Sequence, residues 1–115
     1  MSFVIDPPLL VASGAAIEAV AGEDEASARR LRGGVAALFA VVSLALYANL
    51  PGLGRLWRPF GSRSGREFML TSGLARVDER RIAPVQHAGA LSLFLLYPLW
   101  VRLGGALVRA ARRSA

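Results

Sequence analysis

The chain has 115 residues, 54% hydrophobic and 19% charged, with a formal net charge of +6. That length allows one domain at most, and the absence of cysteine excludes disulfides, thiolate metal sites and cysteine nucleophiles. All 14 basic residues are Arg, which fits a GC-rich coding bias; they flank apolar blocks and do not alternate with aromatics, so the expected partners are membrane lipids, preferentially anionic, and not nucleic acid.

Residues 1–22 form a short apolar arm. Asp6 before Pro7 and Pro8 reads as an oxygen-bearing helix cap followed by prolines tolerated in the first turn. No basic region precedes Ala19-Val20-Ala21, and Asp6 and Glu18 interrupt the arm. We therefore expect no signal-peptide cleavage, with Met1 onward in the mature protein. From Leu9 to Ala21 a helix would cover roughly 20 Å, short of the roughly 30 Å hydrocarbon layer. An interfacial helix is expected, with a third span over residues 3–22 as the alternative. Glu18, an acid in an apolar segment, is a candidate ion or proton site.

Residues 23–50 read as one long helix. Acidic Glu23-Asp24-Glu25 suits its first turn, and Glu25 lies four residues before Arg29. Arg29, Arg30 and Arg32 would stand at headgroup level. Gly33–Leu50 carries no charge and has aliphatic residues on every face, the pattern of a membrane span and not of a soluble amphipathic helix. Gly33, Ala36, Ala40 and Ser43 form a stripe of small residues, read as a helix-packing face. Asn49-Leu50-Pro51-Gly52 ends the helix.

Residues 51–84 form a basic, partly amphipathic loop. Leu53, Leu56, Trp57 and Phe60 recur at helical spacing with Arg55 and Arg58 between them, which suits a segment lying in the interface. Residues 61–65 are a turn, and a second amphipathic piece is expected from Arg66 through Val77. Ser62 and Ser64 match no nucleotide loop or nucleophile elbow. Asp78 and Glu79, hemmed in by Arg76, Arg80 and Arg81, read as a solvated salt-bridge cluster and not a catalytic pair.

A second span follows over residues 85–101, loosened or kinked at Pro98. Tyr97 and Trp100 read as an interfacial aromatic belt ahead of Arg102, and residues 102–115 as a basic surface tail. A span continued past Arg102 would need an acidic partner for it, with Glu18 the one acid in an apolar segment. His87 reads as a polar interfacial residue or helix-end hydrogen bond in preference to a metal or haem ligand, and no cofactor or metal is expected. Seven arginines lie in the loop and seven on the flanks, so the positive-inside rule gives no orientation.

The expectation is an all-α integral membrane protein, with two transmembrane helices plus the short N-terminal apolar helix, in a prokaryotic cell membrane. Its expected function is non-enzymatic: an accessory or structural subunit packing against other membrane subunits or copies of itself. The alternative is a homo-oligomeric channel or carrier with Glu18 or Arg102 on the path. A soluble helical protein would require Gly33–Leu50 to be covered by protein.

Overall fold

The computed structural model describes residues 3–114, and it is 78% helix with no strand among the described residues. The helices are α1 (Asp6–Ala21), α2 (Glu25–Tyr47), α3 (Gly54–Trp57), α4 (Gly65–Thr71), α5 (Pro84–Ser92) and α6 (Tyr97–Ser114). A 3-10 turn, Leu93–Leu96, joins α5 to α6. Pro98 then sits in the first turn of α6, where its missing N–H leaves no helical bond broken. The expected loosening at Pro98 is this turn. α6 runs through Arg102 to Ser114 without interruption, so the basic tail is helical as far as Ser114.

Residues 84–114 thus form one rod of 31 residues. At helical rise that is about 46 Å, and it sets the long axis of a molecule measuring 50 × 27 × 22 Å. Asp6 meets Tyr97, Gly14 meets Val101 and Glu18 meets Arg109, so α1 and α6 run parallel. Arg32 lies at Glu18 and Ser43 at Asp6, so α2 runs antiparallel to both.

The α1–α6 crossing is set by glycine. A Cβ on Gly14 would lie 1.9 Å from the Val101 carbonyl oxygen, and one on Gly104 1.9 Å from that of Val11. Only a residue without a side chain allows the two backbones this close.

α2 starts as expected, with Asp24 accepting from the Ser27 amide at 3.3 Å and the Ser27 hydroxyl at 2.7 Å. It stops at Tyr47, three residues short of the expected Leu50. Leu50 N–H bonds back to Ala45 O and Asn49 N–H to Leu46 O, with Asn49 left-handed at φ 58°. This is a Schellman cap with asparagine in the glycine position.

α1 begins level with Ser43, part-way along α2. Beyond that point the end of α2 is covered by α4, whose Gly65 packs on the Leu46 carbonyl. Buried Phe68 and Met69 of α4 join Leu46, Tyr47 and Ala90 in one core, while Leu10, Ile17, Ala28, Ala36, Tyr97 and Val101 make the other. Phe3 N–H donates to Met69 O at 3.0 Å across the junction. α4 is shorter than the amphipathic piece expected over residues 66–77, because Ser72 (φ 56°) and Gly73 (φ 80°) turn left-handed and end it.

Candidate functional site

The sequence placed Asp6 as a cap, but it is not one. Ile5 occupies the cap position with no side-chain bond, and Asp6 is fully buried, turned sideways into the bundle. Ser43 donates to Asp6 Oδ2 at 2.7 Å, and the Tyr97 hydroxyl donates to the same oxygen. One carboxylate therefore ties α1 to α2 and α6. Pro7 and Pro8 make a buried helix start tolerable, since they remove two of the N–H groups that a first turn leaves unpaired. Tyr97 is consequently 1% exposed and no part of an aromatic belt, and Trp100 is half-buried against the α1–α6 core.

Glu18 is the second inward-facing acid of α1. Its Oε2 lies 3.1 Å from Arg109 Nη1 and 3.9 Å from Arg32 Nη1. Arg102, the partner considered for Glu18 from the sequence, forms no ion pair among the described residues. Arg109, two turns further along α6, takes that place. Arg32 also pairs with Glu25 at 2.9 Å.

These groups line one wall of a cleft of about 770 Å³ between α2 and the α5–α6 rod. Arg29 and Arg102 face it from the two sides, and neither has an acidic partner among the described residues. Gly33, Ala36 and Ala40 of the small-residue stripe line it as well. Ser43, the fourth member, is buried and occupied by Asp6.

At the opposite end, the loop is tied to the end of α2. The Tyr47 hydroxyl and His87 Nδ1 are hydrogen-bonded at 2.6 Å. Arg66 Nε donates to the Tyr47 carbonyl at 3.0 Å, with the guanidinium 5.3 Å from the centre of the Tyr47 ring. Arg66 also pairs with Glu79 at 3.4 Å, and the Ser64 hydroxyl donates to Glu79. Ser64 caps α4 through the Glu67 amide at 3.1 Å, while the buried Glu67 carboxylate accepts from the Arg63 amide at 3.1 Å and pairs with Arg76 at 3.4 Å. Asp78 turns the other way, to Arg81 at 3.2 Å. Asp78 and Glu79 therefore do not converge on a common point.

The remaining interface residues are spread over the surface. Arg30 is exposed beside the cleft end of α2. Arg55 and Arg58 are exposed at the loop end, with Trp57 half-buried against the second core. No group of three His, Cys, Asp or Glu close enough to hold a metal occurs among the described residues. Asp6 was the buried polar residue that the sequence misassigned. The available signal was a carboxylate in an apolar arm with prolines, not polar residues, after it. Compared with protein-family models, with curated proteins and with solved structures, the chain matches none.

Proposed function

We propose that the protein is a small integral membrane subunit without a catalytic role, anchored by α2 and the α5–α6 rod and packing against partner helices or copies of itself. The observation that carries this reading is the outward-facing apolar surface. Leu91, Leu95, Leu99, Leu103 and Leu107 form a ridge at four-residue spacing along the rod, 42% to 77% exposed. Only 22% of the apolar window of either candidate span is buried, whereas a soluble core helix hides most of its apolar face. Four carboxylates are spent on structure: Glu18, Glu67 and Glu79 each face arginine, and Asp6 faces two hydroxyls. That pattern supports a scaffold over an enzyme.

A homo-oligomeric channel or carrier is the second reading, favoured by Arg102 standing on the cleft wall without an acidic partner among the described residues. Glu18 suits a transport path less well, since Arg109 and Arg32 already engage it. Native mass of the protein gently extracted from its own membranes separates the two. Stoichiometric foreign chains support the accessory subunit, and a homogeneous homo-oligomer whose transport is lost in Arg102→Leu supports the carrier.

A further inference from the structure

The geometry points to a binding site for one anionic phospholipid in the cleft between α2 and the rod, with phosphate at Arg29 and Arg102 and an acyl chain in the trough below. This rests on the membrane reading and adds a ligand to it.

The head end is positively charged. Of six ionisable side chains on the cleft wall, Arg32 and Arg109 are engaged by Glu25 and Glu18. Arg29 and Arg102 are left over, giving the wall a formal charge of +2. They come from antiparallel elements on opposite sides of the cleft. Arg29 stands about one turn before the level at which Arg32 and Arg109 meet Glu18, and Arg102 about two turns beyond it. A phosphate shared by both would lie between those levels, approached by each long side chain. Guanidinium suits this task because its planar fork matches phosphate oxygens and stays charged.

The tail end is apolar. Moving away from the arginines, the cleft is floored by Ala37, Ala40, Phe94 and Pro98. A second hollow of about 300 Å³ then continues it, sharing Ala40 and Phe94 and adding Val41, Leu44 and Leu91. Charge at one end and unbroken hydrocarbon at the other describe an amphiphile lying along the helices. A free phosphate would leave the trough empty, and an apolar helix would leave two arginines without counter-charge. The head would lie near Arg32, next to the start of the apolar run, which is headgroup depth for α2.

The test is native mass spectrometry of the full chain in nonionic detergent, with phosphatidylglycerol, phosphatidylcholine or glycerol phosphate added in turn. The expected result is a one-to-one phosphatidylglycerol adduct, at least tenfold stronger than that of phosphatidylcholine. It should fall at least tenfold in the double variant Arg29→Gln/Arg102→Gln and stay unchanged in Arg55→Gln/Arg58→Gln at the far end. Ala37→Trp, which fills the trough at an exposed position and keeps every arginine, should also lose the adduct. It provides the readout if the double variant does not fold.

Equal retention of phosphatidylcholine overturns the proposal, as does an adduct indifferent to both cleft variants. Displacement by equimolar glycerol phosphate overturns it in favour of a small-anion site. A co-purifying polypeptide released by the same substitutions overturns it in favour of a protein partner. Alkaline carbonate extraction is scored separately: a chain released from membranes that still carried one phosphatidylglycerol in detergent would lose the span and keep the site.

Discussion

Asp6 and Glu18 both lie on α1 and both turn inward, yet their surroundings differ. Glu18 meets opposite charge, whereas Asp6 meets only hydroxyl donors. Removing the acceptor in Asp6→Ala strands the Ser43 and Tyr97 hydroxyls in the core, and should lower stability by about 1–3 kcal/mol. Asp6→Asn keeps an accepting oxygen and should cost less; thermal unfolding in detergent measures both. Asp24 presents the simpler case. The Ser27 hydroxyl and amide donate to its carboxylate and hold its pKa below the ordinary 3.8. A lowered folded-state pKa contributes stability above the unfolded value, and the contribution disappears as pH falls through the folded value. Between pH 5 and pH 2, therefore, the wild-type melting temperature should fall further than that of Asp24→Asn, whose amide caps without titrating. Of these residues Asp24 was legible in part: the sequence placed it in an acidic first turn at the start of the helix, and the structure makes it the cap. Asp6 and Glu18 depend on Tyr97 and Arg109, partners that no local pattern announces.

At the level of the elements, the two apolar runs and the start of α2 could be read from hydropathy and the acidic first turn alone. What escaped were contacts that need two helices. Gly14 in the apolar arm and Gly104 beyond Arg102 carry no local signal of a packing role. Their role is visible only when α1 and α6 are brought together. Gly104→Ala and Gly14→Ala should each destabilise the bundle by about 1–3 kcal/mol, since the added methyl meets backbone that cannot yield. Gly34 has nothing within 4 Å of an added Cβ, so Gly34→Ala should instead stabilise α2 by up to about 1 kcal/mol through helix propensity. Unfolding of the three variants side by side checks the opposite signs. The early end of α2 has the same origin as these misses: Asn49 adopts a left-handed turn and receives the Arg66 amide on its side chain at 3.0 Å, a contact supplied by the loop.

For the whole molecule, the question is what faces the leucine ridge. In water, Leu95→Arg on an exposed site should change stability by no more than about 0.5 kcal/mol. In lipid the same substitution near the middle of the span should cost about 2.5–3.5 kcal/mol of insertion. Carbonate-resistant membrane integration of the variant against wild type distinguishes the two. Orientation stays undetermined by charge, because the loop end and the cleft end are both rich in arginine.

The pairing of the first helix with the last has a consequence for how the chain is made. The bonds from Tyr97 to Asp6 and from Arg109 to Glu18 each join residues 91 apart. During synthesis α1 precedes α6, and it carries two carboxylates that each have one partner on that later helix. The α1–α6 pairing can close only after Arg109 has been made, so α1 stays without these bonds until then. A chain stopped after Leu96 would keep Ser43 and Arg32 on α2 but lose Tyr97 and Arg109, and α1 should then be the first segment cut by protease.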